Sequence, residues 1–257
     1  PDVGGPMLQV DSIRVAGDRG LEAVRGMSFT INSGEVLGIS GVSGNGQREL
    51  AYGLVGLRIP TSGTVVLDGE DVTQLSVAER TDRGFAYVPQ SRLGMGLAPG
   101  LTTEENLGLK AYRKPPYSSG PMLAANVFKE RGDEWIEKYD IRGVRPGLPI
   151  RLLSGGNLQK ALLAREVELN PKILIARSPT RGLDVGATEA VRNQILAERA
   201  KGTAVLLISE DLDELLALSD RVIVIYEGAV AGEMAAEDAT PERLGLLMAG
   251  QKEEAAT

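Results

Sequence analysis

The 257-residue chain contains no cysteine and no histidine. Without cysteine there is no disulfide, thiolate zinc site, iron–sulfur cluster or catalytic thiol. Without histidine there is no Ser-His-Asp triad and no imidazole metal ligand. Basic charge is short as well. Twenty-eight Lys and Arg against 35 Asp and Glu leave a net charge of −7, a poor balance for tracking a phosphate backbone, so nucleic acid is not an expected partner. No apolar run approaches the roughly 18 residues needed to cross a bilayer; the longest are runs such as Ala204 to Ile208. Pro1 to Pro6 is a short turn-rich lead with neither the basic nor the apolar region of a signal peptide. A start at Pro rather than Met is what a piece of a longer protein would show. The expected compartment is the cytoplasm, with any membrane role reached through a partner.

What is present is ordinary for a globular protein, with 42% hydrophobic and 25% charged residues and enough length to bury a sizeable core. Short β-branched or Leu-rich runs alternate with helical patterns, which predicts an α/β fold with a largely parallel sheet. Strands are expected at Val36 to Ser40, Thr64 to Leu67, Phe85 to Val88, Ile173 to Ala176, Val205 to Ser209 and Arg221 to Tyr226. Helices are expected at Asn45 to Val55 and around Pro241 to Met248. Between Gly100 and Gly147 the texture changes to a Pro/Gly cluster at Lys114 to Pro121. A helix follows that carries Val127, Trp135, Ile136 and Tyr139 among charges. This stretch reads as an inserted helical subdomain.

Two glycine-rich segments carry chemistry. Gly41-Val-Ser43-Gly44-Asn45-Gly46-Gln47-Arg48 follows a strand and opens a helix, where backbone N–H groups and the helix dipole can cradle a phosphate. The P-loop pattern is Gly-x-x-x-x-Gly-Lys-Ser/Thr. Gly41 and Gly46 fit it, while Gln47 and Arg48 replace its last two residues. A plain glycine turn joining strand to helix would read the same way. A dinucleotide fingerprint fits less well, because it needs a glycine where Glu49 stands. The second segment, Leu153-Ser154-Gly155-Gly156-Asn157-Leu158-Gln159-Lys160, opens another helix and offers another anion site.

The second segment resembles the signature motif of ABC transporters, in its sugar-importer variant with Asn157 where many relatives have Gln. Other landmarks follow in the family's order. Tyr87-Val88-Pro89-Gln90 resembles the Q-loop, and Pro171 to Asp184 resembles the Walker B strand with its D-loop. Ile208-Ser209-Glu210-Asp211 resembles the switch segment. The match covers residues 8 to 235. Its Arg-Gly-Leu-Asp-Val-Gly-Ala run looks like the second, C-terminal nucleotide-binding half of tandem simple-sugar or nucleoside importers. The resemblance implies a P-loop NTPase (RecA-like) core with an antiparallel β subdomain and an inserted helical subdomain. A single nucleotide-binding domain over 8–250 is expected, with a core of about 8–95 and 166–235. The helical subdomain would span about 96–165, and residues 1–7 and 251–257 would form flexible ends.

The resemblance also implies roles, residue by residue. Nucleotide would meet Gly41, Ser43, Gly44, Asn45, Gly46, Gln47, Arg48 and Gln90. Ser154, Gly155, Gly156 and Asn157, with Asp184 of the D-loop, would complete a partner's ATP site in trans. The departures are concentrated in this chain's own site. Gln47 replaces the phosphate-binding Lys, and Arg48 the magnesium-binding hydroxyl. Arg177 replaces the magnesium-supporting acid, Ser178 the catalytic Glu, and Glu210 the switch His. No aromatic lies between Leu8 and Met27 to stack on adenine. The expectation is ATP bound weakly or shared with the partner, Mg2+ disfavoured, and no intact catalytic set. Losing a positioned general base alone costs about 10²–10⁴-fold.

Implied partners are a second nucleotide-binding domain in the same full-length chain, membrane permease subunits and, indirectly, a periplasmic or lipoprotein solute-binding protein. The chain would then lie on the inner face of the cell membrane through the permease. Two other functions stay open: a non-hydrolytic, nucleotide-responsive regulatory module, and an active ATPase in which Arg48 or another cation stands in for the lost Lys. Two arrangements of Arg177 and Glu210 also stay open. Either they pair across the degenerate site, or each points separately into solvent.

Overall fold

A computed structural model describes residues 3–119 and 122–251. Its strands are β1 (Pro6–Ala16), β2 (Glu22–Asn32), β3 (Val36–Ser40), β4 (Ser62–Leu67), β5 (Glu70–Asp71), β6 (Phe85–Val88), β7 (Ser118–Ser119), β8 (Met122–Leu123), β9 (Ile173–Arg177), β10 (Ala204–Ile208), β11 (Arg221–Tyr226) and β12 (Ala229–Ala235). Its α-helices are α1 (Gln47–Val55), α2 (Val77–Arg83), α3 (Thr103–Gly108), α4 (Ala125–Lys138), α5 (Gly155–Val167), α6 (Val185–Ala200), α7 (Leu212–Leu218) and α8 (Pro241–Met248). The chain divides into two compact units, residues 1–87, 171–178 and 195–257, and residues 88–170 and 179–194.

The first unit holds a six-stranded sheet in the order β12-β11-β3-β10-β9-β6. β3 pairs in parallel with both β10 and β11, and β10 pairs in parallel with β9. Every residue of β3 and β10 is buried, as expected of strands covered on both faces, which read as unbroken apolar runs. β11 turns back into antiparallel β12 at Glu227-Gly228, both with positive φ, the geometry that two-residue hairpin turns demand. A second sheet, in the order β2-β1-β4-β5, is antiparallel. Its long strands bury one face: Leu8, Val10, Ile13 and Val15 from β1, and Val24, Met27, Phe29 and Ile31 from β2.

Strand pairing reaches into the segment expected as a flexible lead. Pro6 and Met7 belong to β1, the Gly4 N–H donates to the Ser33 carbonyl, and the Gly5 carbonyl accepts from the Ser33 N–H. Of the expected C-terminal end, Gln251 still donates its N–H to the Leu246 carbonyl; residues 252–257 lie outside the described residues.

The second unit is helical apart from the short β7–β8 pair. Tyr117 and Phe128 meet edge-on with ring centroids 5.1 Å apart, and Trp135 of α4 is buried. α5 carries the fully buried Glu166, which is held by Lys110 at 2.5 Å and Arg165 at 2.8 Å. No helix among the described residues is long and apolar enough to cross a membrane.

Candidate functional site

The parallel sheet places the glycine loop directly after β3 and before α1. Gly44 and Gly46 adopt φ of +93° and +99°, a left-handed backbone that residues with a Cβ rarely enter. Gly46 is further confined, because a Cβ there would stand 2.3 Å from the Ala23 carbonyl oxygen. Asn45 faces the β11–β12 turn: its Oδ1 accepts the Glu227 N–H at 2.8 Å and its carbonyl accepts the Gly228 N–H at 3.1 Å. Asn45 therefore fixes the loop, while Ser43 and Gly44 present it to a cavity of about 510 Å³. Gly41 is buried, and its Cα packs where a Cβ would meet Gln47 Nε2 and the Ile225 carbonyl, both at 2.8 Å.

The cavity gathers residues that lie far apart along the chain. Gln47, Arg48, Arg177, Ser178, Ser209 and Glu210 all line it, together with Asp18, Arg19, Glu22 and Glu49. Gln47 does not project as a free cation would. Its Nε2 donates back to the Val42 carbonyl at 3.0 Å, and the residue is buried. Arg48 is committed too. It pairs with Asp18 and Glu49 at 2.6 Å each and lies 5.8 Å from the centroid of Tyr52. The hydrogen bonds it donates to Glu49, and then to Asp18, hold its guanidinium above its ordinary pKa. Arg58 completes the clasp by pairing with Asp18 at 2.6 Å. Its hydrogen bond, followed by that of Arg48, lowers the Asp18 carboxyl below its ordinary value. The clasp leaves Arg48 unable to replace the missing Lys without breaking two ion pairs.

Arg177 ends β9, half-buried, opposite Ile208 of β10. Ser178 follows with φ of +44° and donates its N–H to the Ile208 carbonyl at 2.7 Å. Glu210 is exposed one residue beyond Ser209, whose Oγ donates to Glu214 at 2.6 Å. Among the described residues no ion pair or hydrogen bond joins Arg177 to Glu210, although both face the same cavity. Of the two arrangements the sequence left open, pairing is the one the structure lacks. Nor do the described residues hold any cluster of three acidic side chains that could grip a metal. Guanidinium groups stand at both positions where the family resemblance places magnesium support, so Mg2+ does not fit this donor set.

In the second unit Ser154 caps α5: its Oγ accepts from the Asn157 N–H at 3.4 Å and from Asn157 Nδ2 at 2.9 Å. Asn157 Oδ1 in turn accepts the Arg142 N–H at 2.7 Å. Ser154 and Gly155 are exposed, so the helix end presents its amides outward. Gly156 has no room for a side chain, since a Cβ would lie 2.9 Å from that of Ala187. Asp184 caps α6 by accepting the Ala187 N–H on its Oδ1 at 2.9 Å. Gln90 is half-buried in this same unit, two residues after β6. The sequence did not reveal the clasp partners Asp18, Glu49 and Arg58. Only the adjacency of Arg48 and Glu49 was available as a signal, and Asp18 lies thirty positions away.

These features agree with comparison to known proteins. Residues 24–181 match the model of the ABC transporter family. The glucose import ATP-binding protein TsgD13 of Haloferax volcanii is 43% identical over 99% of the chain and 46% of its own length. The guanosine import ATP-binding protein NupO of Bacillus subtilis is 42% identical over 97% of the chain and 49% of its own length. The chain thus spans about half the length of these curated relatives. Among solved structures, a dimeric ATP-binding cassette in a post-hydrolysis state with ADP and Pi superimposes with a TM-score of 0.76. It is 24% identical, covering 90% of this chain and 99% of its own, a likeness that shows the fold. With the glycine loop, the capped signature helix and the D-loop acid in the family's order, and the family model matched over more than half its length, the chain belongs to the ABC transporter family.

Proposed function

We propose that the chain is one nucleotide-binding half of an importer for simple sugars or nucleosides. Its own ATP site does not hydrolyse, and its signature helix completes the ATP site of a competent partner half. The observation that carries this reading is the contrast between the two ends of the machinery. At the chain's own cavity Arg48 is locked to Asp18 and Glu49, and Arg177 occupies the place of the metal's acid. At the signature helix, by contrast, Ser154, Gly155 and Asp184 are exposed and well formed. The first set serves the chain's own nucleotide, the second serves a neighbour's. Relatives named for glucose, guanosine and nucleoside import support the importer class. Their doubled length supports a second nucleotide-binding domain in the same full-length chain. Permease subunits would hold the assembly at the inner face of the membrane, with a solute-binding protein delivering the cargo.

The test is to mix the purified chain with its natural partner half and measure phosphate release. Activity only in the mixture is the expected result. Activity in neither sample favours a nucleotide-responsive regulatory module, and turnover by this chain alone overturns the reading.

A further inference from the structure

The cavity's charges sort into committed and uncommitted groups. Asp18, Glu49, Arg48 and Arg58 neutralise one another, and Glu22 pairs with Arg14 at 2.7 Å. Among the charged lining residues that leaves Arg19, Arg177 and Glu210, none of which forms an ion pair or side-chain hydrogen bond among the described residues. Two cations against one anion give an uncommitted charge of +1. Arg19 and Glu210 are exposed, whereas Arg177 is half-buried at the end of β9, where solvent screens it less. Arg177 acts electrostatically on the buried phenol of Tyr87, which burial, above all, pushes up, so that it stays neutral. Arg177 is thus a half-buried guanidinium with no carboxylate partner among the described residues, lining the cavity into which the glycine loop opens.

We propose that this cavity binds nucleotide phosphates without a divalent cation, with Arg177 supplying the positive charge that a metal would otherwise bring. A guanidinium presents several N–H donors in a planar fork that matches phosphate oxygens and needs no coordination shell. A metal ion entering the same space would meet that cation and find no acid cluster among the described residues to hold it. The magnesium complex of a nucleotide should therefore bind no better than the bare anion. The inference rests on reading the cavity as a nucleotide site, and it concerns binding alone; no bond is made or broken there.

The test is calorimetric titration of the isolated chain with ADP, in EDTA and in excess Mg2+. The expected result is weak binding that is equal or tighter in EDTA. Arg177→Met should weaken it at least tenfold, and Arg177→Lys, which keeps the charge but loses the planar fork, should weaken it less than Arg177→Met does. Circular dichroism checks that each variant is folded, and if Arg177→Met is not, the two buffers compared on the unaltered chain decide alone. Tightening by Mg2+ of more than threefold overturns the inference. Absence of ADP binding in both buffers overturns it too, as does unchanged affinity in folded Arg177→Met. In each of those cases hydrolysis by the mixed halves can still stand. Turnover by the isolated chain is the separate result that removes the importer-half reading.

Discussion

Ser154→Arg in the assembled two-half transporter is expected to cut ATP turnover on the order of 10²-fold, the scale seen when one preorganised donor to a developing anion is removed. Ser154 sits where α5 begins, and it and Gly155 are exposed at that helix end. A helix N-terminus carries about half a positive charge and favours anions within its first turn. The substitution fills that exposed end with a long side chain and removes the hydroxyl that now bonds Asn157. Loss of the cap costs about 1 kcal/mol of helix stability, which a domain with this core can absorb. The readout is phosphate release, with circular dichroism to verify the fold. Unchanged turnover by a folded variant would contradict a role in trans.

Arg80→Met should destabilise the domain by about 2–4 kcal/mol in urea unfolding, the range for leaving several buried acceptors without their donor. Arg80 is fully buried. Its Nε donates to the Leu75 carbonyl at 3.1 Å, Nη1 to those of Gly53 at 2.8 Å and Leu54, and Nη2 to that of Thr73 at 2.6 Å. Gly53 and Leu54 end α1, the helix whose other end carries the glycine loop. Arg80 therefore satisfies carbonyls that the helix leaves without partners and places a cation at the negative end of its dipole. Burial lowers its pKa to about 10, with Asp71 acting in the opposite direction, so the group remains charged near neutrality. Removing the charge relieves some desolvation, which keeps the loss below the sum of the four hydrogen bonds. Arg80→Lys should recover little, since one ammonium cannot reach four carbonyls. A loss under about 1 kcal/mol would show that water or relaxation replaces these bonds.

How far the sequence speaks depends on the range of the interaction. The buried parallel strands were legible because both faces demand apolar residues: Val36 to Ser40 and Arg221 to Tyr226 match β3 and β11 residue for residue. β1 and β2 were not read from pattern. Their Arg, Asp and Ser residues alternate with apolar ones, and register shifts between Val10 and Ile13 break the period of two. The antiparallel sheet was expected only through family resemblance. Arg80 reads as one more charge in Val77-Ala-Glu-Arg-Thr-Asp-Arg83, a stretch that looks like a solvated helix face. What makes it a core residue is the set of carbonyls the fold delivers to it. The clasp on Arg48 escaped for the same reason. Substitution of the hydroxyl by Arg was plain, but nothing local tells that Asp18 and Arg58 would close around it.

The central claim is that this chain's own site is silent while its signature works for a partner. Glu210 offers the cleanest probe, because it stands where the family resemblance places the switch residue, lines the cavity, and is exposed with no ion pair or side-chain hydrogen bond among the described residues. Its truncation therefore alters the site's chemistry without disturbing the fold. The measurement is ATP turnover by the assembled transporter carrying Glu210→Ala. The account predicts a rate within about twofold of the unaltered assembly, the small change typical of an exposed substitution away from the chemistry. A fall of tenfold or more, approaching the loss typical of a general acid or base, would show that this site turns over ATP itself.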